Sequence, residues 1–220
     1  MAFLWIKINL IMKHLFFIFL SITLLISCSV KHKIACIGDS ITEGAGISVQ
    51  SKNAYPAVLQ KLLGENYQVL NAGRSGATML KNSDLSYWNC NEFSNVFAFK
   101  PEIIIMKLGT NDSKKHNWNP IQYENDFQAM IDTFNLSLHK PKIFVCLPVP
   151  AFRMQWAIDD SVISTQIIPI LNQLQLKNNF QIIDLNTAFK NNSTMFPDGI
   201  HPNEAGAEKM ANEILKHLKK

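Results

Sequence analysis

The sequence predicts an α/β protein: a five-stranded, doubly wound parallel sheet in three layers, with helices on both faces. Three observations predict it. Five short apolar runs rich in Ile, Val and Leu recur along the chain, separated by longer stretches with helical periodicity. The run at 102–108 is nearly all apolar, as a strand covered on both faces must be. Several runs stop abruptly at turn formers, among them Gly38-Asp39, Asn71, Gly109 and Pro148. Strict alternation of strand and helix with right-handed crossovers gives a flavodoxin-like order, 2-1-3-4-5. Every strand then points its carboxyl end at one edge, where open α/β sheets place their ligand crevice.

The first strand is expected at 33–37 and ends in Gly38-Asp39-Ser40, with Gly44 four residues beyond the serine. A helix at 54–63 is apolar at Tyr55, Val58, Leu59, Leu62 and Leu63, and Gly64 closes it. The second strand, 67–70, enters a loop at Asn71 that runs to Thr78. A loop at 84–91 and a short helix at 92–99, stopped before Pro101, lead to the third strand at 102–108. That strand ends in Gly109-Thr110-Asn111-Asp112. The next helix starts with Asn119 as N-cap and Pro120 at its first position, and runs to about 138. The fourth strand, 142–147, is ended by Pro148-Val149-Pro150. Residues 160–178 read as helix, with a kink or boundary at Pro169. The fifth strand is 180–185, and a loop through Asp198 and His201 leads to the last helix at 203–218.

At 220 residues and 47% hydrophobic content, the chain suits one domain with a full core, assigned to 33–220. A net charge of +4 with no clustered basic face argues against a nucleic-acid partner. The N-terminus reads as an address. Lys13 precedes an apolar stretch at 15–26 that is shorter than the ~20 residues a spanning helix needs. Residues 1–27 are therefore expected to be a signal peptide, with translation starting at Met12 rather than Met1. Leu25-Ile26-Ser27-Cys28 resembles the bacterial lipobox. That resemblance implies lipidation of Cys28, a tether over 28–32, and a periplasmic or cell-surface lipoprotein that meets the membrane only through its anchor. Cys36 and Cys146 lie in expected strands as small buried hydrophobes, and with Cys90 they make no disulfide framework. No His/Cys spacing suggests a metal, and neither a metal nor an organic cofactor is expected.

The loops at that shared edge carry the chemistry. A serine hydroxyl is a poor nucleophile until an imidazole takes its proton, and the imidazole needs an acceptor on its other nitrogen. Ser40 sits where the first strand turns. Asp198-Gly199-Ile200-His201 puts a carboxylate and an imidazole within three residues of each other on a turn-forming loop, and Pro202 stiffens its exit. His116, His139 and His217 lie in polar or helix-end contexts without such a partner. A tetrahedral intermediate also needs preorganised donors. Candidates are the Ser40 N–H, the N–H of Gly76 or Gly73, and the side chain of Asn111 at the end of the third strand. Taken singly, each motif reads equally well as a turn or a helix cap.

Together, Gly38-Asp39-Ser40, the Asn71 to Gly76 loop, Gly109-Thr110-Asn111-Asp112 and Asp198-Gly199-Ile200-His201-Pro202 resemble the SGNH (GDSL) hydrolases, in family order and across nearly all of 33–220. The resemblance implies Ser40 as nucleophile, His201 as base, Asp198 as its orienter, and an oxyanion hole of Ser40 N–H, Gly76 N–H and the Asn111 amide. The family's glycine falls five residues after the Asn, which selects Gly76. The family includes acetylesterases, thioesterases, lysophospholipases and lipases. Arg74 to Leu80, Tyr87-Trp88-Asn89, Asn117-Trp118 and 148–153 look like its carbohydrate-acetylesterase branch, particularly sialate O-acetylesterase-like members. Trp88, Trp118 and Arg153 are the expected substrate contacts. The expected partner is a small-molecule or glycan ester. A lysophospholipase or thioesterase is the alternative. A non-catalytic glycan-binding lipoprotein would have lost Ser40, Asp198 or His201, and all three are present. A flavin module shares the strand order, but the loop after the first strand lacks a Ser/Thr-rich phosphate cradle.

Overall fold

The computed structural model describes residues 31–138 and 140–219, so the expected signal peptide and Cys28 lie outside the described residues. The chain runs through β1 (His32–Gly38), α1 (Ser40–Glu43), α2 (Gln50–Asn53), α3 (Tyr55–Leu63), β2 (Tyr67–Gly73), α4 (Asn91–Phe99) and β3 (Ile103–Lys107). It continues through α5 (Pro120–Ser137), β4 (Lys142–Cys146), α6 (Asp160–Val162), α7 (Ile168–Lys177), β5 (Phe180–Ile183), α8 (Leu185–Phe189) and α9 (Glu204–Leu218). The strands form one parallel sheet in the order β2-β1-β3-β4-β5, the order the alternating pattern predicts.

Side chains alternate across each strand, and the two faces bury different sets. Ile34, Cys36, Ile105 and Phe144 pack with Tyr55 and Leu59 of α3 and with Met210 and Ile214 of α9. Ala35, Ile37, Ile104, Met106 and Val145 pack with Val96 of α4, Phe127 and Phe134 of α5, and Leu171 of α7. The result is the expected three layers. Cys36 and Cys146 are buried free thiols of the sheet, and burial pushes the Cys146 thiol up to about 12.

Several boundaries differ from the sequence reading: the third and fourth strands end one residue early, the fifth ends at Ile183 where Asp184 caps α8, and two further differences have a local reason. β2 continues to Gly73, because Asn71, Ala72 and Gly73 keep pairing with Cys36, Ile37 and Gly38 of β1. Asn71 looks like a turn residue, but its Oδ1 accepts the Gly73 N–H at 3.0 Å without breaking the ladder. β1 begins at His32, inside the expected tether. That residue pairs with Tyr67, and its ring meets the Glu102 carboxylate at 2.8 Å. Pro169 acts as expected. A π-helical turn over Ile163–Ile167 precedes it, and the proline then sits in the first turn of α7. The wide turn accommodates a residue that has no N–H and whose ring crowds the carbonyl four positions back.

Candidate active site

β1 delivers its serine through a fixed turn. Asp39 is the N-cap of α1, and its Oδ1 accepts the Ile41 N–H at 3.0 Å. Its carboxylate also lies 3.0 and 3.2 Å from the Lys107 ammonium, which donates to Thr110 Oγ1 at 3.0 Å as well. Asp39 and Lys107 are both fully buried. This pair ties the end of β1 to the end of β3, and therefore the turn carrying Ser40 to the loop carrying Asn111.

Ser40, at the first position of α1, places its Oγ 2.8 Å from His201 Nε2. On the other side of the ring, Nδ1 is 2.7 Å from Asp198 Oδ2. With the Nδ1 proton donated to the carboxylate, Nε2 is the acceptor for the serine hydroxyl. Asp198 is itself held by the backbone, its Oδ1 accepting the N–H groups of His201 at 2.7 Å and Ile200 at 2.8 Å. Partial burial works against the ionised carboxyl. Those two N–H groups and the His201 side chain outweigh it, so its pKa falls below the ordinary carboxylate value. The turn depends on Gly199 at φ +86°, where a Cβ would lie 2.7 Å from that of Arg153.

The donors come from two further loops. Ala77 N–H bonds to the Arg74 carbonyl at 3.0 Å, closing a tight turn with Gly76 at its third position and φ +83°, the left-handed conformation that a type II turn requires there. The Ser75 N–H and Oγ both donate to the Glu43 carboxylate, which anchors this turn to α1. The N–H groups of Ser40 and Gly76 have no acceptor among the described residues. Asn111 Nδ2 donates one proton to the Ala77 carbonyl at 3.1 Å, which leaves its second N–H for the cleft. Asn117 braces this loop, donating to the Asn111 carbonyl and to Asp84. Asp112 does the same from beneath, accepting the N–H groups of Met79 and Leu80 at 3.0 and 2.9 Å. Its burial is complete and pushes its pKa up to about 7.

Ser40, His201, Gly76 and Asn111 line one cleft of about 260 Å³, together with Ala45, Ser75, Lys114, Trp156 and Ile158. That is slightly below the ~300–1,000 Å³ usual for ligand sites. A larger depression of about 510 Å³ along the β2 edge, lined by Gln50, Gln60, Asn71 and Glu92, contains no nucleophile–base pair. Gly73, the alternative donor, is the last residue of β2 and does not line the cleft.

The three expected substrate contacts lie elsewhere. The Trp88 indole donates to the Met79 carbonyl at 3.0 Å and packs on Phe93. Trp118 donates to Gln166 Oε1 at 2.7 Å and packs on Tyr123. Arg153 is exposed against the Gly199 turn, in a separate depression with Phe152, Phe196 and Pro197, and does not line the cleft. Sequence reasoning passed over Trp156, whose ring centroid is 5.1 Å from that of His201. The available signal was its place in the loop after β4, at the shared edge. It also passed over Lys107, which reads as one polar residue closing an apolar strand.

The model of the GDSL-like Lipase/Acylhydrolase family matches residues 36–209. A curated acetylxylan esterase from Xylanibacter ruminicola is 41% identical over 206 residues, covering 85% of this chain and 43% of the relative. The chain thus spans less than half the length of that relative. Among solved structures, the aryl esterase of M. smegmatis superposes with a TM-score of 0.68 at 20% identity, covering 86% of this chain and 98% of its own. A carbohydrate acetylesterase family member from Sinorhizobium meliloti gives a TM-score of 0.69 at 19% identity, covering 86% and 97%. At those identities the structures show the shared fold. With that fold and a family match over most of its length, the chain belongs to the GDSL-like lipase/acylhydrolase family of carboxylic ester hydrolases.

Proposed function

We propose that the chain is a serine esterase that removes O-acetyl groups from carbohydrate through an acetyl-Ser40 intermediate. The observation that carries this reading is the continuous relay from Ser40 Oγ through His201 to Asp198 beside a small cleft. His201 Nε2 takes the serine proton as Oγ attacks the acetyl carbonyl, and Asp198 stabilises the imidazolium that forms. The oxyanion accepts from the Ser40 and Gly76 N–H groups and the Asn111 amide. His201 returns the proton to the departing sugar hydroxyl. It then draws a proton from the water that attacks the acetyl-serine carbonyl and delivers it to Ser40 Oγ as that bond breaks, releasing acetate and restoring the serine hydroxyl.

The choice of an acetyl group on a sugar is supported by the names of the acetylxylan esterase relative and the carbohydrate acetylesterase neighbour. Acetate release from acetylated xylo-oligosaccharide and from O-acetylated sialic acid, compared with hydrolysis of a long-chain p-nitrophenyl ester, tests it. The acetylated sugars are the preferred substrates on this reading. Preference for the long chain would move the enzyme to the lipid esterases. The narrower assignment to sialic acid stands on the loop resemblance and fails if only the xylan fragment is hydrolysed.

Export and a lipid anchor at Cys28 belong to the same proposal, supported by the pattern at residues 12–28. Lipid labelling that persists in a Cys28→Ala variant would refute the anchor.

A further inference from the structure

The loop between β4 and α6 presents an aromatic side chain to which the reaction above gives no role. Trp156 is 54% exposed, although large aromatic side chains are usually mostly buried. It lines the cleft beside Ser40, and its ring is tilted 54° to the imidazole of His201. Its backbone is at φ +50° and that of Ala157 at φ +60°, and the Ile158 N–H closes on the Gln155 carbonyl at 3.0 Å. A tight turn with two left-handed central residues normally takes Gly, Asn or Asp. Here a tryptophan and an alanine are held in it against their preference. Such strain persists only where the surroundings over-determine it, and it concentrates at ligand sites.

The surroundings do fix this loop, and through the active-site loops themselves. The Phe152 N–H donates to the Gly199 carbonyl at 2.8 Å, next to the His201 turn. The Asp159 N–H donates to Ser113 Oγ at 3.0 Å, and that hydroxyl donates to the Thr110 carbonyl at 2.8 Å, next to Asn111. Ala151 N–H and the Asp160 carboxylate close the base of the loop at 2.8 Å. The ends of the loop that carries the indole are thus tied to the two loops that carry His201 and Asn111, and the indole lines the cleft between them.

We propose that Trp156 determines specificity by stacking on the sugar ring that carries the acetyl ester. This rests on the carbohydrate reading above and names the group that selects the alcohol side of the ester. A pyranose presents axial C–H groups on its flat face, which suit the electron-rich face of an indole. Its hydroxyls stay at the ring edge, in water. His201 must reach the departing alcohol oxygen to protonate it, and Trp156 stands against His201 at 5.1 Å between ring centroids, which puts the ring bearing the ester within reach of the indole.

The test compares the intact protein, Trp156→Ala and Trp156→Phe on two acetates: an acetylated xylo-oligosaccharide and ethyl acetate, which has no ring to stack. The platform predicts that Trp156→Ala lowers kcat/KM for the sugar at least about tenfold more than for ethyl acetate. The excess loss should lie in KM, and Trp156→Phe, which keeps a ring against His201, should recover part of it. Equal losses on both esters would mean that the indole acts only through His201, and would overturn the proposal. No loss on either would do the same. In both cases the carbohydrate reading survives, since the intact protein still deacetylates the sugar. An intact protein that cleaves ethyl acetate but no acetylated sugar overturns the carbohydrate reading, and the platform with it.

Discussion

Lys107→Met removes an ammonium that lies 3.0 and 3.2 Å from the two carboxylate oxygens of Asp39, with both side chains at 0% exposure. At that separation and an effective dielectric of about 20, the attraction is roughly 5–6 kcal/mol, and the desolvation of both charges offsets much of it. The cost of the substitution is set by what stays behind. Asp39 would keep the Ile41 N–H and lose its counter-charge in a site without water access, and such half-broken buried pairs cost about 3–5 kcal/mol. That is a large part of a folding stability of about 5–15 kcal/mol. Urea unfolding followed by circular dichroism measures it. The double variant Asp39→Asn/Lys107→Met removes both charges and keeps a side-chain oxygen to cap α1. It should recover to within about 1–2 kcal/mol of the intact protein. A single variant as stable as the intact protein would refute this reasoning, and so would a double variant no more stable than the single. Because the pair fixes the Ser40 turn against the Asn111 loop, the single variant should also lose esterase activity under folding conditions.

Three further outcomes follow from the same contacts. Burial holds the Asp112 pKa at about 7 against a reference of 3.8, so its share of stability is full below that reference and is lost as pH rises through 7. Asp112→Asn should remove this part of the slope, and urea unfolding between about pH 4 and about pH 8 reads it; an unchanged slope contradicts the assignment. His201→Ala removes the acceptor that lies 2.8 Å from Ser40 Oγ and should lower acetate release by roughly 10³-fold or more, and a variant that keeps the intact rate would exclude it as the base. Trp88→Ala should cost roughly 2–4 kcal/mol through lost packing on Phe93 and the lost bond to Met79, while the ratio of sugar to ethyl acetate turnover stays as in the intact protein. A changed ratio would return Trp88 to the substrate site.

The sheet was legible because its signal is redundant. Residues 103–106 have one reading in an α/β chain, and Asn119-Pro120 starts its helix as the capping chemistry dictates, with Asn119 Oδ1 accepting the Gln122 N–H at 3.1 Å. The tail of β2 was not legible, because Asn71, Ala72 and Gly73 have turn propensities and only their pairing with β1 makes them strand. The motif residues Ser40, Asp198, His201 and Asn111 could be proposed because each sits in a loop at the carboxyl edge, whereas choosing Gly76 over Gly73 needed the family resemblance as well. The substrate contacts could not be ranked that way. Trp118 and Trp156 lie in loops and Trp88 in a single 3-10 turn, and what separates them is their neighbours in space. Trp88 and Trp118 find acceptors for their N–H groups and partly buried packing, whereas Trp156 is half exposed and lines the cleft. Lys107 was hidden for a related reason, since its partner Asp39 is 68 residues away in sequence.

The most direct test of the central claim is acetate release by Ser40→Ala. Losing one hydroxyl at the first position of α1 leaves the Asp39 cap and the Asp198–His201 pair in place, so the unfolding midpoint should match that of the intact protein. Hydrolysis of an acetyl ester should fall by roughly 10³-fold or more, because the remaining donors have no nucleophile to serve. A folded Ser40→Ala variant that still releases acetate at a substantial fraction of the intact rate would contradict the acetyl-serine mechanism.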